Sequence, residues 1–160
     1  MIYRVALGTG LRSTEMAVLK VFQIEVERQR IALRADGVKN KKAVYQPLTL
    51  KLTANLQDWI KNKSPTANVF SHNRKTLFNS FKFDCKAAGI ERKSPDGRSI
   101  DIHSLRRTFG TMLARAGVPL TTTQRLMRHS TPELTAKLYI DVEPIDMMQA
   151  VEKLPRFDDT

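Results

Sequence analysis

The sequence predicts a mainly α-helical α+β fold, in which a small antiparallel β-sheet near residues 21–50 is set among amphipathic helices. Three observations predict it. Apolar residues recur at helical spacing on both sides of that stretch, inside it they alternate with polar ones, and Asp36-Gly37 breaks the alternation with a turn. With 160 residues, 41% of them hydrophobic, there is material for one ordinary core, so residues 1–160 are expected to form a single compact domain.

The first helix runs through Ile2, Val5 and Ala6 and stops at Gly8-Thr9-Gly10. A short second helix is expected from about Ser13, the candidate cap, to Lys20, with Met16, Leu19 and Ala17 facing inward. Phe22, Ile24 and Val26, then Ile31 and Leu33, alternate as half-buried strands do, and Val44 to Leu48 supplies the return strand after a loop holding Lys39, Lys41 and Lys42. Helical spacing returns in Leu50, Leu52, Leu56, Trp59 and Ile60, and again in Leu77, Phe78, Phe81 and Cys85, the latter helix stopping at Gly89. Glu91 to Ser99, with Pro95 and Asp96-Gly97, reads as an exposed loop. Ile102, Leu105, Phe109, Met112, Leu113 and Ala116 mark a long helix ended by Gly117, with His103 and Arg106 three apart on one face. Thr121 and Gln124 form a capping-box pattern for a helix ending near His129, and Thr131-Pro132-Glu133 opens another that carries Leu134, Leu138 and Tyr139. A last amphipathic helix is expected from Pro144 to Pro155.

Lys and Arg number 27 against 16 Asp and Glu, a formal charge of +11 that favours a polyanionic partner. Cys85 is the single cysteine, which excludes an internal disulfide or a cysteine-based zinc cluster and fits a reducing compartment. No apolar run is long enough to span a membrane and Met1 to Leu7 has no signal-peptide pattern, so a soluble, cytoplasmic protein is expected.

Three segments carry the chemistry: Thr9-Gly10-Leu11-Arg12-Ser13-Thr14-Glu15, His103-Ser104-Leu105-Arg106-Arg107-Thr108-Phe109, and Leu126-Met127-Arg128-His129-Ser130 followed by Thr135 and Tyr139. In this order they resemble the two arginine boxes and the closing histidine-to-tyrosine box of the tyrosine recombinase (phage integrase) family. The resemblance runs from about Val5 to Leu154, and the three boxes together are specific where any one alone would be weak. It implies the same mainly helical α+β catalytic domain, a phage or mobile-element origin, double-stranded DNA as partner, and a homo-oligomer, a tetramer, on that DNA. The reaction it implies is site-specific DNA recombination by metal-free cleavage and rejoining through a 3′-phosphotyrosyl intermediate, without a cofactor.

The residue types suit that reaction. Attack on a phosphodiester builds negative charge on two non-bridging oxygens, and arginine's planar fork stays charged and donates two parallel bonds to phosphate, so Arg12 and Arg106 are the candidate clamp. Tyr139, ten residues after His129, is the candidate nucleophile, and it needs a base and cationic surroundings because its ordinary pKa is about 10. The resemblance assigns His103 as the histidine that accepts the tyrosine proton or orients the phosphate, and His129 as a phosphate hydrogen-bond donor. It also implies a hairpin-tip lysine that protonates the leaving 5′-oxygen. Lys39, seven residues ahead of Gln46-Pro47-Leu48, is the choice, with Lys41 and Lys42 as rivals. Glu15 is expected to orient Arg12, and His72, outside every box, is expected at the surface.

Two features depart from the family pattern. Arg128 stands where a glycine usually precedes the last histidine. The chain also opens inside what would be an internal helix, which implies an N-terminally truncated catalytic domain without the core-binding domain. Two other readings remain: a type IB topoisomerase that relaxes supercoils, and a non-catalytic module in which Val118 to Tyr139 forms a helix-turn-helix. The latter accounts for the charge but not for Arg12, His103 and Arg106.

Overall fold

The computed structural model describes residues 1–33, 44–93, 97 and 99–139. The expected turn at Asp36-Gly37, the lysine loop with Lys39, Lys41 and Lys42, Pro95-Asp96 and the last helix from Pro144 lie outside the described residues. The chain divides into two compact units, Met1–Gly110 and Thr111–Thr160.

The first unit opens with α1 (Ile2–Thr9), whose buried Val5 and Ala6 are joined one helical turn later by Thr9. Gly10 ends it at φ 60°, in the left-handed region, with its N–H donating to the Ala6 carbonyl. α2 (Ser13–Val18) buries Met16, with Leu19 buried just beyond its end, and leaves Ala17 half-buried. Ser13 does not cap it: the helix starts one residue earlier than the sequence suggests, and the Arg12 N–H is satisfied by the Glu15 carboxylate at 2.6 Å. Position N3 thus closes the end that a hydroxyl was expected to close.

The sheet has the order β1 (Ile24–Glu25), β2 (Arg30–Leu33), β3 (Val44–Pro47), all antiparallel. Its register aligns Ile24, Ile31 and Gln46 in one buried row, while Glu25, Arg30 and Tyr45 lie on the other face. There Arg30 donates to the Glu25 carboxylate at 2.7 Å and its guanidinium stacks 3.6 Å from the Tyr45 ring centre. The expected alternation fails at Phe22 and Val26. Both sit in 3-10 turns, Val21–Gln23 and Val26–Arg28, whose period of three replaces the strand period of two. Phe22 is therefore exposed, and the side chain buried in its stead is Gln23, which accepts from the Lys20 N–H at 2.9 Å and donates to the Ala32 carbonyl at 2.7 Å.

α3 (Leu50–Ile60) is capped by Thr49, and α4 (Arg74–Ala87) by Asn73, whose Oδ1 accepts from the Thr76 N–H at 2.9 Å. Leu77, Phe81 and Cys85 form the buried stripe of α4, and Tyr3 from α1 meets Phe81 edge-on while donating to the Asp84 carboxylate. Burial with an acceptor carboxylate alongside pushes the Tyr3 phenol well above its ordinary range. α5 (Ile102–Arg115) contributes its start to this unit, where Asp101 and Ser104 exchange cap bonds of 2.9 and 3.1 Å. Leu11, Met16, Leu19, Ile31, Leu56 and Leu77 fill the core. Each adds roughly 1.5–3 kcal/mol of burial energy to the frame that holds the turn at Gly10.

In the second unit α6 (Leu120–Met127) follows Pro119, and α7 (Glu133–Ala136) is a single turn. Thr121, expected to cap α6, lies exposed inside it, because Pro119 supplies the entry two residues earlier. Arg128 closes α6 at φ 53°, in the left-handed region, with the His129 N–H reaching back to the Gln124 carbonyl at 3.2 Å. That is why a glycine is at home here: the backbone needs a conformation that costs a side-chain-bearing residue about 1–2 kcal/mol.

Candidate active site

The arginine half of the site is built on the turn at Gly10. Arg106, on α5, is only 3% exposed, so it is no ordinary surface arginine. A buried guanidinium must be hydrogen-bonded. Its Nη1 donates to the Gly10 carbonyl, 96 residues away in sequence, which joins the second box to the first. Gly10 meets a second demand at the same point, since a Cβ there would collide with the Phe109 ring one turn along α5. The glycine serves both the backbone conformation and the close approach of the two boxes.

Arg12 leaves that turn half-exposed, its guanidinium 3.0 Å from the Glu15 carboxylate, and it faces a surface cleft shared with Thr14, Lys20 and Phe22. His103, exposed at the start of α5, has its pKa lowered first by partial desolvation and then by the positive charge of Arg106, with smaller contributions from Arg107 and Arg12. Its dependence on both box arginines marks the three side chains as electrostatic neighbours. A lowered pKa also keeps the imidazole neutral at physiological pH, so it can accept a proton.

The tyrosine half lies in the second unit. His129 Nδ1 is 2.9 Å from the hydroxyl of the fully buried Thr135. When that hydroxyl donates, the neutral ring carries its proton on Nε2, where a phosphate oxygen can accept it. The Tyr139 hydroxyl donates to the Val118 carbonyl at 2.5 Å and lies 2.6 Å from the hydroxyl of Thr123, itself fully buried. A phenol has one proton, so Thr123 is the donor in the second bond.

Of the residues selected from the sequence, Arg12, His103 and Arg106 come together in one unit, and His129 and Tyr139 lie in the other. Lys39 is outside the described residues. His72, expected at the surface, is half-buried. Sequence reasoning missed Thr123 and the carbonyls of Gly10 and Val118. Carbonyls carry no residue signature, and a buried threonine reads as core until its partner is known.

The Phage integrase family model matches residues 1–144. A tyrosine recombinase of Pseudothermotoga lettingae is 30% identical over 151 residues, covering 91% of this chain and 50% of that protein. Tyrosine recombinase XerA of Saccharolobus solfataricus is 28% identical over 144 residues, covering 88% and 46%. The catalytic domain of bacteriophage HP1 integrase superposes with a TM-score of 0.68 at 25% identity, over 99% of this chain and 83% of that one. The Tn1549 transposon integrase, solved with a circular intermediate DNA, shares the fold with a TM-score of 0.75 at 22% identity, over 96% and 57%. The chain spans about half the length of these curated relatives.

Proposed function

Because this chain belongs to the phage integrase family, we propose that it cleaves and rejoins double-stranded DNA by transesterification, with site-specific recombination as the outcome. The observation that carries the proposal is the buried Arg106 bound to the Gly10 carbonyl, with His103 beside it under the charge of both arginines. A non-catalytic DNA-binding module leaves the gathering of Arg12, His103 and Arg106 without a purpose. A helix-turn-helix would also need a longer second helix than the single turn of α7.

In the proposed reaction the Tyr139 Oη attacks the scissile phosphorus, forming the 3′-phosphotyrosyl bond as the bond to the 5′-oxygen breaks. Neutral His103 accepts the phenolic proton. Arg12 and Arg106 hold the non-bridging oxygens as charge grows on them, His129 donates a hydrogen bond to one of them, and Lys39 protonates the leaving 5′-oxygen. The energy of the broken ester is kept in the new one, so a 5′-hydroxyl of either the same or another strand can reverse the step. Strand exchange between two sites requires several copies on the DNA, and a tetramer belongs to the same proposal.

The test is a set of nicked, end-labelled duplexes incubated with the protein and resolved under denaturing conditions. The wild-type chain is expected to leave a DNA–protein adduct, and Tyr139→Phe none while retaining DNA affinity. An adduct persisting in Tyr139→Phe would overturn the assignment of the nucleophile.

A further inference from the structure

A cleft beside the arginine cluster, about 610 Å³ in volume, opens between the starts of α4 and α5. It is lined by Ser13, Arg74, Lys75, Phe78, Asp101 and His103, all in the first unit. Ser13 follows Arg12 in the chain and His103 heads the second box, so the cleft adjoins the place assigned to the scissile phosphate without containing either clamp arginine. Arg74 and Lys75 are exposed, and among the described residues neither has an ion pair or side-chain hydrogen bond. The one carboxylate in the cleft, Asp101, is turned to the first turn of α5, where it accepts from the Ser104 N–H at 2.9 Å and lies 3.2 Å from its hydroxyl. Two unneutralised cations and a hydroxyl therefore meet in an open groove, beside the imidazole assigned to the scissile phosphate, a donor set that matches a phosphodiester and offers a cation or a neutral ligand little.

We propose that this cleft is a second phosphate subsite, in which Arg74 and Lys75 hold a non-scissile backbone phosphate of the DNA. The inference rests on the proposed DNA-cleaving function and deepens it. It gives the first unit two points of contact along the DNA backbone, enough to fix the direction of the strand as well as the position of one phosphate, which a single clamp cannot do. Arg74 and Lys75 are positioning residues in this scheme.

The experiment measures affinity for a short mixed-sequence duplex against salt concentration, in the Tyr139→Phe background so that no cleavage intervenes. Each backbone phosphate neutralised contributes about 0.9 to the slope of log affinity on log salt. The pair Arg74→Ala and Lys75→Ala is expected to lower that slope by about 0.9, the value for one shared phosphate. Arg12→Ala should lower it by a similar amount, and the two losses should add, because they concern different phosphates. Arg74→Lys should restore most of the loss. Lys82→Ala with Lys86→Ala, removing the same charge from a separate cleft on α4, is the control and should leave the slope nearly unchanged. An equal loss from the control pair would reduce the effect to general electrostatics and overturn the subsite. So would losses that fail to add with Arg12→Ala, or a loss confined to one base sequence, which would mean base reading. Both residues are exposed and lie outside the Asn73 cap, so the variants should fold, as circular dichroism can verify. Adduct formation by the unmodified chain judges the cleavage reading separately, so the two can fail independently.

Discussion

The two clusters treat their functional groups in opposite ways. In the first unit a backbone carbonyl braces Arg106 and a carboxylate braces Arg12. In the second, the hydroxyl of Tyr139 is itself bound, to the Val118 carbonyl and to Thr123. The difference follows from donor count. A guanidinium has five N–H groups and can give one to a carbonyl while presenting others to phosphate; a phenol has a single proton, and once it is given to a carbonyl none is left for a base. In the proposed reaction the arginine cluster would thus be braced before DNA binds, whereas Tyr139 would have to exchange hydrogen bonds before attacking.

The largest effects should fall on the groups that act on the phosphate. Lys39→Ala is expected to slow cleavage by on the order of 10²–10⁴-fold, the range for removing a general acid, and to recover on a 5′-bridging phosphorothiolate whose thiolate departs without a proton. Rescue of Lys41→Ala or Lys42→Ala instead would move the acid to that lysine. Arg106→Ala should cost roughly 10²–10³-fold and gain nothing from the better leaving group, since the proposed reaction sets its charge against the non-bridging oxygens. Rescue of Arg106→Ala by the thiolate would break the division of labour between these side chains.

Much of the first unit was legible in the sequence, and the reasons are local. α1, α3, α4 and α5 follow apolar spacing, and the ends of α1, α4 and α5 at Gly10, Gly89 and Gly117 follow glycine's tolerance of positive φ. Caps were legible only in part. Ser13 and Thr121 have the right side chains in the wrong places, because an N-cap is fixed by where the chain enters the helix, and the hydroxyl or amide at the true entries of α3 and α4 belongs to Thr49 and Asn73. The sheet was legible as a sheet but not residue by residue, since two 3-10 turns interrupt the alternation at Phe22 and Val26. In the site, the boxes name Arg12, His103 and Arg106, but what holds Arg106 is a carbonyl that every residue possesses.

A smaller effect distinguishes the clusters through pH. Desolvation and the charge of Arg106 lower the His103 pKa, so its neutral form prevails at neutral pH and persists to lower pH than in a free imidazole, whose ordinary value is about 6.5. The His103 ring signal in an NMR titration of the free protein should have its midpoint below that value, and Arg12→Ala should move it upward. A midpoint above 6.5 would mean that the arginines do not reach His103 in solution, and the first cluster would lose its claim to be assembled before DNA binds.

The smallest expected effect tests the tyrosine's restraint directly. Thr123→Val preserves shape and removes the hydroxyl that lies 2.6 Å from Tyr139 Oη. Because the phenolic proton goes to the Val118 carbonyl, the substitution takes away a donor and leaves the tyrosine's own donated bond intact. A hydrogen bond of this kind contributes about 0.5–1.5 kcal/mol, and the urea midpoint should fall accordingly. Tyr139→Phe removes the same bond from its other end, so in a double-mutant cycle the two changes should couple by a similar amount. Zero coupling would deny the bond in solution. The kinetic sign decides what the bond is for. If it restrains the nucleophile, weakening it by about 1 kcal/mol speeds adduct formation by roughly fivefold even as stability falls. Slower adduct formation in Thr123→Val would mean that Thr123 aims the phenol at the phosphate, and the tyrosine cluster would then be preassembled like the arginine one.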